Sequence, residues 1–110
     1  MREPLLFLVQ RISAAVLAPL VIVHLALILY AVEGGLTAGE ILNRTRGSGF
    51  WAVFYGAFVV AAALHAPVGL RNVLMEATGW RGRSLDGAML GMAVLLVILG
   101  LRAVVTVVSP

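Results

Sequence analysis

The sequence contains no cysteine, and its basic residues are all arginine. Without thiolates the chain itself offers no iron–sulfur ligation, disulfide, covalent c-type haem attachment or cysteine zinc site. Histidine occurs twice, at His24 and His65. A metal centre would therefore be ligated by imidazole and shared with another chain. Acids are also scarce: none of the five lies at the centre of a long apolar run. A small transporter would be expected to set Asp or Glu inside a span, so that class ranks last. The net charge of +3 and pI near 10.7 come from arginines that flank apolar runs. They form no patch with interleaved aromatics, so they read as topology signals and no nucleic-acid partner is expected.

What the chain has in quantity is apolar length. Of 110 residues 62% are hydrophobic, and the mean hydropathy is +1.07. A helix needs roughly 20 apolar residues to cross a bilayer. Three such stretches, 12–32, 51–74 and 88–108, take up most of the chain. The reading is an all-α integral membrane protein: one three-helix transmembrane domain over 1–110, part of a larger helical bundle with a partner. No room is left for a separate soluble domain, which argues against an enzyme with a large cleft for a polar substrate. Arg11 interrupts the first apolar stretch and no small-x-small cleavage site follows it, so residues 1–10 read as mature chain.

Residues 4–10 either lie along the interface or extend the first helix inward. Pro19 cannot donate its amide, so a kink is expected there. The connection 36–49 is expected to hold a short helical turn, and Phe50, Trp51 and Tyr55 mark interfacial depth. Residues 78–87 form a polar turn. Gly87 and Gly91 make a G-x-x-x-G pattern that permits close helix approach. Arg2, Arg11, Arg71, Arg81 and Arg83 fall on the side of the N-terminus, against Arg44 and Arg46 on the other. Arginine counting then puts the N-terminus in the cytoplasm and the C-terminus outside, in a bacterial inner membrane.

His65 is the most informative residue. An ionisable group at this depth costs a few kcal/mol unless a partner offsets it. Its neighbours one turn away are Ala61 and Gly69, so a flat, bulky group can lie against the helix. Haem is the candidate, because neutral imidazole is a common axial ligand to iron. The bland alternative is a helix-packing histidine. Gly69, Asn72 and Glu76 follow on the same face. Arg71 lies on an adjoining flank about 9 Å along the axis, within reach of a haem propionate. Arg11 and Ser13 offer a cation and a hydroxyl at the start of the first span, groups also suited to a quinone carbonyl.

The stretch His65-x-x-x-Gly69-Leu70-Arg71-x-x-x-Met75-Glu76 resembles a signature of the cytochrome b membrane-anchor subunit of succinate dehydrogenase and fumarate reductase. Gln10-Arg11-Ile12-Ser13-Ala14 resembles that family's first-helix motif, His-Arg-x-Ser/Thr-Gly. The resemblance implies a subunit without catalysis of its own, inside a succinate:quinone oxidoreductase. It would anchor a flavoprotein and an iron–sulfur subunit, pair with a second membrane anchor, hold haem b and help form the quinone site. It implies His65 as axial ligand to the haem iron, with Arg71 and Arg11 near the propionates or quinone and Ser13 close by. Gln10 stands where the family often has His, Asn72 where it has His or Phe, and Glu76 where it has Asp. Phe7 takes the place of its quinone-binding Ser.

His24 lies 13 residues past Arg11, about 20 Å deeper. If Arg11 and Arg71 share one depth, the two histidines stand about 10 Å apart along the membrane normal, too far to ligate one iron. His24 then hydrogen-bonds a neighbouring helix, ligates a second haem, or serves a proton path. Arg102 would partner a second haem's propionate or snorkel to the surface. Glu76 would balance Arg71 or Arg81, Trp80 would anchor at the interface, and Ser13 on its own would only bond its own backbone. The rival from another class is a cofactor-free structural anchor.

Overall fold

Hydrocarbon offers no partners for backbone N–H and C=O groups, so long apolar runs fold as helices. The computed structural model describes residues 3–110; Arg2, one of the topology-setting arginines, lies outside the described residues. Four helices follow in order: α1 (Glu3–Gly34), α2 (Ala38–Thr45), α3 (Gly49–Thr78) and α4 (Arg83–Val108). Three of them, α1, α3 and α4, are long and apolar enough to cross a membrane. They reach beyond the apolar runs because polar caps finish them. Ser48 Oγ accepts from the Trp51 amide at the start of α3, and Gly79, at φ 74°, closes its end in the left-handed region. Residues 4–10 continue α1 inward, with Pro4 in the first turn, where a missing N–H costs nothing. Helical structure also runs through Pro19 in α1 and Pro67 in α3.

α3 is the central helix, packed antiparallel against α1 on one side and α4 on the other. The short α2 crosses one end. Thr37 caps it, accepting from the Glu40 amide. Thr45 Oγ1 donates to the Val107 carbonyl at 2.6 Å, and the Gly47 amide donates to the Val108 carbonyl at 2.7 Å. The α1–α3 connection is thereby tied to the end of α4.

Very little of the chain is buried. Among the described residues Ala61, Ala63, Leu85 and Val104 are the buried apolar ones, with Ser13, Thr45 and Arg71 the buried polar ones. Large side chains such as Ile22, Phe50 and Val53 stand about two-thirds exposed or more. In water that surface would be untenable; in a bilayer it meets lipid tails and neighbouring helices.

The close approach of α3 and α4 is made by Gly100, not by the Gly87–Gly91 pattern. A Cβ at Gly100 would overlap the Val59 side chain, whereas one at Gly87 or Gly91 would meet nothing within 4 Å. The G-x-x-x-G spacing marks no helix contact among the described residues. Gly100→Val should destabilise the bundle by about 1–3 kcal/mol, the usual cost of overpacking. Gly87→Ala should be neutral or gain up to about 1 kcal/mol from helix propensity. SDS titration of the purified chain in micelles, followed by circular dichroism, compares the two; equal effects would contradict the contact.

Candidate functional site

The α1–α3 pair sets a register that decides which polar groups meet. Ser13 Oγ lies 3.3 Å from His65 Nδ1. One turn toward the N-terminal end, Gln10 lies over Gly69, where a Cβ would come within 3.1 Å of the amide nitrogen. Toward the other end, His24 meets Phe58 and Tyr55 edge-on, with ring centroids 5.2 and 6.2 Å apart. Ser13, expected beside a haem edge or quinone, is thus brought against His65.

Ser13 is buried and also bonds its own helix, donating to the Gln10 carbonyl at 3.1 Å. A hydroxyl has one proton. A hydroxyl that donates to Gln10 can meet His65 Nδ1 only as an acceptor, which suits the tautomer with a hydrogen on Nδ1. His65 is half-buried, and its Nε2 is accessible and without a hydrogen bond among the described residues. Beside this pair the Gln10 Oε1 is buried and has no partner among the described residues. Nothing in the spacing of the sequence marked that second polar atom.

Arg71 is 6% exposed and sits at the meeting point of three helices. Its Nε donates to Asp86 Oδ1 of α4 at 2.8 Å. Its Nη2 and Nη1 donate to the two carboxylate oxygens of Glu3 of α1, at 2.8 and 3.3 Å. The expected balancing acid, Glu76, is exposed on the far side of α3 and does not take part. The sequence could have flagged Glu3 and Asp86 only as acids at the same end of the bundle. As for the expected propionate, three of the guanidinium's five N–H groups are already engaged here.

Arg11 is not brought into this cluster. It precedes Ser13 by two positions, about 200° around the helix, and lies exposed with its guanidinium carbon 5.6 Å from the Phe7 ring centre. The assumption that Arg11 and Arg71 share a depth also fails. Measured from the Ser13–His65 level, Arg11 is two residues away and Arg71 six, a difference of about 6 Å at 1.5 Å per residue. The same register puts His24 eleven residues from Ser13, so the histidines are separated by about 16 Å in depth, more than the 10 Å expected.

His24 borders two adjoining cavities of about 480 and 310 Å³, which share Ile41, Thr45 and Tyr55 in their walls. Its Nδ1 is buried and has no hydrogen-bond partner among the described residues. The cation at the rim is Arg44, which donates to the Gly35 carbonyl at 2.9 Å and lies over the Tyr30 ring. Arg102 is exposed and lines neither cavity, since Gly100, Ala103 and Val104 are among the α4 residues that do. Trp80 is 40% exposed and donates through Nε1 to Ser84 Oγ at 2.8 Å.

Arg71→Met would remove the guanidinium that donates to the Asp86 carboxylate, which is only 19% exposed. The expected cost is about 2–3 kcal/mol, less than for a fully enclosed pair because the Glu3 carboxylate is largely solvated. Glu3→Gln should have a much smaller effect than Asp86→Asn. Reversible SDS unfolding of the three variants gives the order, and equal losses would contradict a clamp centred on α3 and α4.

Comparison with curated proteins and with solved structures finds no match. The profile of the succinate dehydrogenase/fumarate reductase transmembrane subunit family matches residues 3–107. That span takes in the Ser13–His65 contact, the Arg71 cluster and nearly all of the four helices, and the chain belongs to this family of transmembrane subunits.

Proposed function

We propose that this chain is the haem b subunit of a succinate:quinone oxidoreductase, with His65 Nε2 as one axial ligand to the haem iron. The observation that carries the reading is the state of the His65 ring: Nδ1 is engaged by Ser13, and Nε2 is accessible and unbonded among the described residues. No three potential metal ligands converge among the described residues. A single imidazole suits an iron whose equatorial positions come from a porphyrin. When bound, haem supplies a one-electron carrier within the membrane. A second membrane-anchor subunit supplies the sixth ligand, since His24 lies about 16 Å away in depth.

Around that ligand the chain's own groups have distinct tasks. Ala61 and Gly69 let α1 close against α3 beside His65, so this low face is taken by α1 and not left open for a flat group as the sequence suggested. Arg71 retains two N–H groups for a propionate, and Arg11 presents a cation on the outer side of α1. We assign the quinone to the same end of the bundle, where Arg11 offers a hydrogen bond to a carbonyl. The iron–sulfur and flavoprotein subunits dock at that end, which the arginine balance puts in the cytoplasm of a bacterial inner membrane, with the C-terminus outside. Electrons taken from succinate in those subunits reach quinone at the membrane boundary.

The His24 chamber favours a second haem over a plain packing role. A packing histidine would be expected to satisfy its buried nitrogen from a neighbouring helix, and His24 Nδ1 finds no such partner among the described residues. The cavities beside it provide room, and Arg44 takes the propionate role first expected of Arg102.

The optical spectrum of the purified complex should show b-type absorption that is reduced in His65→Ala, the His24 haem remaining. A spectrum unchanged by that substitution would take His65 out of the iron site, and a complex without b-type absorption would leave only the cofactor-free anchor. Pyridine haemochrome analysis should give two haems per complex, falling to one in His24→Ala. One haem in the unaltered complex would return His24 to packing.

A further inference from the structure

The proposed function asks His65 for a lone pair on Nε2, and a neutral imidazole has that lone pair only when its proton is on Nδ1. In an apolar setting the two tautomers differ by the hydrogen bond that Nδ1 makes, so the residue facing Nδ1 decides whether the ring can bind iron. That residue is Ser13 of α1, at 3.3 Å. We infer that Ser13 is a positioning residue that holds His65 in its Nδ1–H tautomer and turns Nε2 toward the haem; this role rests on the haem reading of His65.

Two features make Ser13 an acceptor. Its proton is committed to the Gln10 carbonyl within the same helix. It is also 5% exposed, so water does not compete for its oxygen. The geometry around it is fixed as well. Gly69 lacks the Cβ that would press on the Gln10 amide, so α1 and α3 close at this level. The arrangement departs from a quinone ligand: a serine that donates to its own backbone and accepts from His65 has no proton left for a quinone carbonyl. Ser13 therefore belongs to the haem ligand, and the quinone contact at this end falls to Arg11.

Three preparations test this. The full chain, labelled with ¹⁵N-histidine and held without haem in lipid bilayers, reports by solid-state NMR which ring nitrogen of His65 carries the proton. The His65 signals are identified by their loss in His65→Gln. The unaltered chain should carry the proton on Nδ1; Ser13→Ala should lose that single state for a mixture, and Ser13→Thr should restore it. In the intact complex, Ser13→Ala should weaken haem retention about 10–100-fold, as removal of an outer-shell partner typically does. It should also raise the haem midpoint potential, because an Nδ1–H without an acceptor leaves Nε2 a poorer donor to ferric iron. A proton on Nε2 in the unaltered chain would overturn the inference, and so would a Ser13→Ala variant with unchanged tautomer and potential. Failure of the haem reading of His65 is separate: the b-type absorption of the complex would then be the same in His65→Gln as in the unaltered protein, whatever the tautomer measured in the haem-free chain.

Discussion

A polar side chain among lipid tails must find a partner, and in this chain the decisive partners lie on other helices. Between membrane helices the hydrophobic effect gives little net attraction, because lipid is as apolar as leucine. The buried apolar residues number only four among those described. Directional contacts therefore set the arrangement. Arg71 ties α3 to α1 through Glu3 and to α4 through Asp86. At the opposite end, Thr45 and Gly47 bond the last carbonyls of α4. Between the two ties Gly100 lets α4 settle against Val59. Each tie holds one end of the three-helix layer, and the register of everything between follows.

That register is what the chemistry uses. With Arg71 holding Glu3, α1 is set so that Ser13 comes level with His65 and Gln10 with Gly69. A shift of one residue along α1 would turn Ser13 about 100° away and leave Nδ1 without its acceptor. The ion cluster lies about 9 Å from the histidine along α3 and yet bears on the Ser13 contact, because the helices between are stiff. Among the described residues the cluster joins one guanidinium to two carboxylates. Glu3, with its side chain 62% exposed, is the member with room to move aside.

How far the sequence alone led follows from where its information is local. The three membrane helices were legible because apolar length is a property of consecutive residues. His65 stood out as a candidate because an imidazole flanked by Ala61 and Gly69 is unusual within such a run. The partners were another matter. Glu3 is 68 residues from Arg71 in sequence, and spans that are apolar nearly all round give no face from which to read a helix contact. For the same reason Gly87 and Gly91 drew attention by spacing while Gly100, without any pattern, makes the contact. The depth of His24 was misjudged because it was scaled from two arginines whose flexible side chains conceal the positions of their backbones.

The outward direction of His65 Nε2 bears on why this chain does not act alone. Ser13, Arg71 and the Nδ1 side of His65 are satisfied between α1, α3 and α4. The ring nitrogen that would take iron on the proposed reading is Nε2, the one not facing Ser13. Two imidazoles binding one iron lie on opposite faces of a porphyrin, and a planar ligand cannot be enclosed by a layer one helix thick. On the proposed reading, the other face would be covered by helices of a partner. The exposed leucines, isoleucines and valines along α1 and α3 are what such helices would pack against. The thinness of the fold and the second axial ligand that the proposed haem would need thus lead to the same proposal, a partner anchor closing over the site.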